Sequence, residues 1–266
     1  MLYFVATPIG NIKEITYRAI EVLGEVDCIF AENPRHSLKL LSAYNIKKPV
    51  FEYKKHTEQA NADFVISKLQ QVQSVAVLSD AGTPLISDPG SILVKKLIEN
   101  NIEYTLVSGA CAAINALVLS GLDTQHFCMV GFLPHKNSDR VALINKFKNL
   151  QATLIFYVPV HDINSDLEFL HKHLGVRKAA IIREISKKFE EIIRIMLGEP
   201  LQIKQKGEFV VCIDGATSNV IKNDKSIKER LKELIDSGID KKDAIKLVAT
   251  ELGIKKSTVY SESIEL

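Results

Sequence analysis

Along the chain, short apolar runs alternate with longer stretches in which apolar residues recur at helical spacing. YFVAT (3–7), CIFAE (28–32), PVFEY (49–53), SVAVLSD (74–80) and EYTLVS read as strands, being brief and densely apolar. Helical patterns lie between them. They run from Thr16 to Gly24, over HSLKLLSAY, from Thr57 through Gln71, from Asp88 to Asn100 and Asn101, and over ACAAINALVLSG. The pattern pauses near Asp123 and restarts with HFCMVGF, a helix over 137–150, TLIFYV, a helix ending at HKHLG, KAAIIRE and KGEFVVCIDG. EEIIRIMLGE and KGEFVVCID are candidates to pair as neighbouring strands. This alternation predicts two successive α/β domains, 1–116 and 117–218, with the first sheet mainly parallel.

After TSNVIKNDK the character changes. SIKERLKELIDSG opens with a capping box at Ser226 and Glu229 and stops at a glycine. DKKDAIKLVATELG repeats the form up to Gly253, and KKSTVYSESIEL suits a third helix. The segment 225–266 is therefore expected to be a helical, helix-turn-helix-like tail. An appendage that packs on the body or on a second subunit is the equal alternative.

Composition narrows the class without naming a function. Of 266 residues, 46% are hydrophobic and 25% charged, which is usual for a soluble globular chain. No apolar run has the length to span a bilayer, and MLYFVATPIGN lacks the basic start of a signal peptide, so a cytoplasmic protein without a membrane partner is expected. Cys28, Cys111, Cys128 and Cys212 form no CxxC pair, and His171 and His173 sit two apart, which turns them to different helix faces. No metal is expected. The net charge of +2 neither demands nor excludes a nucleic-acid partner.

The familiar phosphate-binding fingerprints GxGxxG and GxxxxGK[ST] are absent. Ligand sites in α/β folds still lie beyond the carboxyl ends of the strands. Three loops there carry residues suited to tight turns or close backbone approach: ATPIGN (6–11), SDAGTPLISDPG (79–90) and SGACAAINA (108–116). Together they predict a cleft. In the second loop Asp80 ends a buried strand and is expected to bond nearby N–H groups or a ligand. Asp88-Pro89 reads as an N-cap followed by proline at the first helical position. Glu32 and Arg35 in AENPR, with Lys187 and Glu190 in REISKKFEE, are charges at strand ends or loops facing that cleft. The plainer reading of Glu32 and Arg35 is a local ion pair.

The segments LYFVATPIGNIKEITYRAIEVL, SDAGTPLISDPG, GFLPHK with Arg140, REISKKFEE and KGEFVV closely resemble the ribosomal RNA small subunit methyltransferase I family, in the right order and over nearly the whole chain. The family belongs to the tetrapyrrole methylase superfamily. The resemblance implies two α/β domains with S-adenosylmethionine folded between them, a homodimer, and 2′-O-methylation of a cytidine in the decoding region of 16S rRNA in the 30S subunit. Carried over by motif, Pro8, Leu78, Ser79, Asp80, Thr83, Cys111, Ala112, Val158 and Ile185 line the cofactor. A ribose hydroxyl is a poor nucleophile, so alignment and a proton acceptor share the work. Glu32 is expected as base or orienter, and Arg35 and Lys187 as phosphate contacts. Lys136, Arg140, Lys146 and Lys148 are candidates for a basic RNA surface.

Four motifs depart from the family. AEDTR reads AENPR, PGP reads SGA (108–110), ESPHR reads VPVHD with only His161 kept, and the RG after the paired glutamates leaves Gly198 alone. A related methylase acting on another RNA or a small molecule is the alternative, as is a cofactor-binding protein that docks on the ribosome without turnover.

Overall fold

The computed structural model describes residues 1–53, 58–217, 226–252 and 254–264. Thr57, Gly253 and the 218–225 segment, where a helix start, a helix stop and a boundary were expected, lie outside these residues. Met1–Gly215 forms one compact unit and Ala216–Leu266 a second.

In the larger unit, five strands build the first sheet: β1 (Leu2–Val5), β2 (Cys28–Ala31), β3 (Val50–Glu52), β4 (Val75–Leu78) and β5 (Tyr104–Val107). Their order is β3-β2-β4-β1-β5 and every pairing is parallel. β2 and β4 are buried along their whole length, as strands covered on both faces must be, which explains their uninterrupted apolar sequences. The helices α1 (Tyr17–Glu25), α2 (Pro34–Ala43), α3 (Glu58–Leu69) and α4 (Ser91–Glu99) connect these strands. Thr16 caps α1 by accepting the Ala19 N–H at 3.1 Å.

The second sheet joins β6 (Phe127–Phe132), β7 (Thr153–Val158), β8 (Lys178–Arg183), β9 (Glu191–Met196) and β10 (Phe209–Ile213), in the order β6-β7-β10-β8-β9. α5 (Ala112–Ser120), α6 (Asn137–Phe147) and α7 (Ile163–Leu174) accompany it. Only β6 and β7 run parallel. β9 and β10 do not pair, contrary to the neighbour pairing considered from the sequence. β10 is buried at all five positions and takes the centre, whereas β9 carries Glu191 and Arg194 and is confined to the edge. α5 packs on this second sheet: Ala113, Ala116 and Leu117 share an apolar cluster with Ile9, Ile155, Ala180, Val210 and Cys212. Arg194 donates to the carbonyls of Leu119 and Ser120 at the carboxyl end of α5, a favourable place for a cation.

Two helix starts differ from expectation. α2 begins at Pro34, earlier than HSLKLLSAY suggested, with the Asn33 side chain accepting the His36 N–H. α4 begins at Ser91, and Asp88-Pro89 is not its cap. Leu85, Ser87 and Gly90 hold φ of 71°, 68° and 140°, so the chain is still turning there. The cap comes from another helix: Glu58 at the start of α3 accepts the N–H groups of Gly90 (2.8 Å) and Ile92 (3.0 Å). A periodicity argument sees no such tertiary cap.

The smaller unit holds α8 (Ile227–Asp236), α9 (Lys241–Leu252) and α10 (Lys256–Ser263) around Leu231, Ala244, Val248 and Val259. Its capping box is formed, with Ser226 accepting the Glu229 N–H and Glu229 accepting the Ser226 N–H. No described helix is long and apolar enough to cross a membrane.

Glu58→Ala orphans two buried-end donors of α4 and is expected to cost about 1–2 kcal/mol. Urea unfolding checks this; an unchanged midpoint would mean that water replaces the carboxylate at no cost.

Candidate active site

β1 and β4 are adjacent and parallel, with Val5 opposite Leu78, so the loops 6–11 and 79–90 leave the sheet side by side. A two-hydrogen-bond bridge ties them: the Thr7 N–H donates to the Gly82 carbonyl (2.9 Å) and the Gly82 N–H to the Thr7 carbonyl (3.0 Å). Gly82 sits at φ 79°, a conformation that glycine adopts without strain. The buried hydroxyls reinforce the bridge, Thr7 donating to the Ser79 carbonyl (3.3 Å) and Ser79 to the Gly82 carbonyl (3.0 Å). Thr83 donates to the Ala110 carbonyl at 3.0 Å, which fastens the third loop. The same loop presses close at Gly109, where a Cβ would stand 2.9 Å from that of Ala6. The AENPR loop joins through the Asn33 N–H, which donates to Asp80 Oδ1 at 3.1 Å.

Two cavities open around this knot. The first, about 420 Å³, is walled mainly by apolar groups, with Val158, Phe209 and Val210 of the second sheet facing Thr83, Cys111 and Ala112. Tyr157 also lines it; burial pushes its phenol up to about 12, so its hydroxyl stays a donor at neutral pH. The second, about 350 Å³, has a more polar rim including Thr7, His36, Lys39 and Lys187. Ile9, Asp80, Ala81 and Glu208 line both. The cavities therefore share a wall that carries two carboxylates.

The residues expected from the sequence divide among several places. Asp80, Thr83, Cys111, Ala112 and Val158 line the first cavity, and Pro8, Ser79, Asp80 and Lys187 the second. Leu78 is buried in the first sheet's core. Ile185 is buried beside Ile9 and Ala113 and lines neither cavity. Glu32 borders a void of about 10 Å³ with Leu78, Ser79 and Pro84 and lines neither cavity. Arg35 is exposed on α2, outside both linings. Arg140, a candidate for the RNA surface, is instead held inside: it pairs with Asp166 at 2.5 Å and lies over the Phe169 ring at 4.2 Å. Sequence reasoning missed Tyr157, Gly207, Glu208 and Phe209. The signal available was the glycine of KGEFVV, which sits at φ 94° and where a Cβ would also meet Glu184 at 2.6 Å.

A model of the tetrapyrrole (corrin/porphyrin) methylases matches residues 1–201. The chain belongs to this family. It is 42% identical to the ribosomal RNA small subunit methyltransferase I of Pasteurella multocida, over 100% of this chain and 97% of that one. The protein of the same name from Escherichia coli O157:H7 is 38% identical, over 99% and 94%. The crystal structure of uroporphyrin-III C-methyl transferase from Thermus thermophilus, complexed with S-adenosyl homocysteine, shares the fold at a TM-score of 0.57 and 16% identity, covering 79% of this chain and 96% of that one.

Seen as a methylase, two of the departing motifs keep their structural work. Asn33 caps α2 through its side-chain oxygen and Pro34 takes the first helical position, so AENPR still launches that helix. SGA contributes the Ala110 carbonyl, which is main chain and indifferent to the residue type.

Lys187 of the methylase is clipped by two carboxylates, Glu184 Oε1 at 2.9 Å and Glu208 Oε2 at 2.7 Å. Burial works against its charge, but the two hydrogen-bonded acids outweigh burial and raise its pKa. Burial likewise pushes Glu184 up, while Lys187 and the Glu208 N–H more than offset it and hold the carboxyl below its ordinary value. A depressed folded-state value stabilises above the unfolded pKa, near 4.5, and that contribution drains away as pH falls through the folded one. Glu184→Gln is expected to cost about 1 kcal/mol at pH 7. The gap to wild type should close at low pH, as followed by urea unfolding at both pH values; a gap that persists in acid would assign it to packing.

Proposed function

We propose that this protein transfers the methyl group of S-adenosylmethionine to the 2′-hydroxyl of a cytidine in the decoding region of 16S rRNA, within the 30S subunit. The observation that carries this reading is the shared wall: an apolar cavity and a polar, cation-rimmed cavity meet at Ile9, Asp80, Ala81 and Glu208. Ribosomal RNA methylation is the activity named for the full-length relatives, and their degree of identity supports carrying it to this chain.

The residues fit the cofactor. Val158, Phe209 and Ala112 offer adenine an apolar slot, and Asp80 offers a carboxylate to a sulfonium cation. When bound, S-adenosylmethionine supplies an activated methyl group. The chain's part is to place the acceptor hydroxyl across the wall and remove its proton. Asp80 is the carboxylate we assign to that proton, because Glu208 is engaged by Lys187 and Glu32 lines neither cavity. His36 and Lys39 on the rim are placed for the flanking phosphates.

A second copy of the chain is the further partner in this reading. Consecutive elements carry exposed apolar side chains: Tyr104 and Leu106 on β5, Ile114 and Val118 on α5, Phe127 and Phe132 on β6. Exposed apolar residues on three successive elements suit an interface more than open water. Leu106→Glu/Val118→Glu is expected to convert a dimer to a monomer in analytical ultracentrifugation. Dimers surviving both charges would place the interface elsewhere.

Asp80→Asn is expected to lower kcat for labelled methyl transfer to 30S subunits roughly 10²–10⁴-fold at saturating cofactor, with calorimetry reading the weaker cofactor affinity that loss of the carboxylate brings. Turnover equal to wild type would remove Asp80 from the chemistry. Good cofactor binding by wild type with no methyl entering 30S subunits would overturn the activity itself.

A further inference from the structure

Residues 184–190 connect β8 to β9 in a strained shape. Glu184 and Ser186 hold φ of 52° and 64°, although neither is glycine. Local bonds keep them there, since Glu190 accepts the Ser186 N–H at 2.8 Å and the Lys187 N–H donates to the Glu184 carbonyl at 3.0 Å. This frame presents Phe189 to solvent at 64% exposure. Beside the ring is a third cavity of about 160 Å³, lined by Arg183, Glu184, Phe189, Lys204 and Lys206. Lys188 Nζ lies 5.7 Å from the ring centre.

The nearby acids are already engaged. Glu184 and Glu208 hold Lys187, Glu191 pairs with Arg183 at 3.2 Å, and Glu190 binds the loop's own backbone. Among the described residues Lys188, Lys204 and Lys206 have no acidic partner. The cavity is smaller than the roughly 300–1,000 Å³ typical of sites for whole small molecules. A flat apolar face ringed by uncompensated ammonium groups matches a base with its phosphates, the combination by which proteins hold single strands. Glu184 lines this cavity and also grips Lys187 on the rim of the second one. One ion pair therefore separates the acceptor cavity from the exposed ring.

We propose that Phe189 is a stacking platform for a base of single-stranded RNA next to the methylated nucleotide, with Lys188, Lys204 and Lys206 receiving the adjoining phosphates. This rests on the RNA methylation reading above and extends it to a neighbouring subsite.

Fluorescence anisotropy with a fluorescein-labelled oligocytidylate tests the platform directly. Phe189→Ala is expected to raise Kd roughly tenfold, and Phe189→Tyr to restore it. Lys204→Ala/Lys206→Ala should flatten the slope of log Kd against log salt by about 1.4, at about 0.7 per phosphate. Unchanged thermal midpoints are the folding control for an exposed loop. If Phe189→Ala binds the oligonucleotide as tightly as wild type, or if wild type does not bind it, the proposal is overturned. Steady-state transfer to 30S subunits separates it from the activity. A raised KM with kcat kept supports the platform, and an unchanged KM alongside normal wild-type transfer refutes the platform alone. Absent transfer by wild type refutes the activity and leaves the platform to the anisotropy result.

Discussion

Two backbone hydrogen bonds between Thr7 and Gly82 set the geometry on which the site depends. Parallel neighbours such as β1 and β4 have no hairpin to join them, so the loops at their carboxyl ends would otherwise diverge. The bridge supplies that join just beyond the sheet, pairing Thr7 with Gly82 in the antiparallel sense. Once it is made, Ser79, Thr83 and Gly109 have partners within reach, and Asp80 is turned toward the Asn33 N–H. A residue with a Cβ at Gly82 would be strained at φ 79°, and its Cβ would stand 3.3 Å from Ile9. Ile9 is part of the wall common to both cavities, so strain there would reach the site directly.

The second sheet completes what the first begins. Its strand ends bring Tyr157, Val158 and Phe209 to the apolar cavity, and the Glu184–Lys187–Glu208 clip closes the polar one. Non-glycine residues at positive φ concentrate in the two loops that flank these cavities: Leu85 and Ser87 in one, Glu184 and Ser186 in the other. Strain of this kind persists only where the surroundings over-determine it. Here they do, through the Leu85 side chain packed at Gly90 and through the ion pairs of Lys187. The consequence is a preorganised wall, which suits a transfer whose rate depends on alignment.

What was legible in the sequence is what local physics controls. The apolar runs became strands, Thr16 and Ser226 cap the helices they precede, and the three loops singled out at 6–11, 79–90 and 108–116 do meet at one sheet edge. Misreadings arose where a distant partner decides. Asp88-Pro89 has the residues of a helix start, but Glu58 reaches over from α3 and the helix begins at Ser91. Arg140 has the charge of a nucleic-acid contact, but Asp166 and Phe169 draw it inside. Glu208 looks like an ordinary charge ahead of a strand. Only the folded arrangement shows it on both cavities with Lys187 against it.

The central claim is that a ribose hydroxyl, not a base atom, meets the donor across the wall formed by Ile9, Asp80, Ala81 and Glu208. Alkaline hydrolysis of 16S rRNA labelled by the wild-type protein in 30S subunits addresses this most directly, because a 2′-O-methyl group blocks cleavage of the adjoining phosphodiester. The account predicts the label in an alkali-resistant dinucleotide that begins with cytidine. Label released entirely in mononucleotides would place the methyl on a base and contradict it.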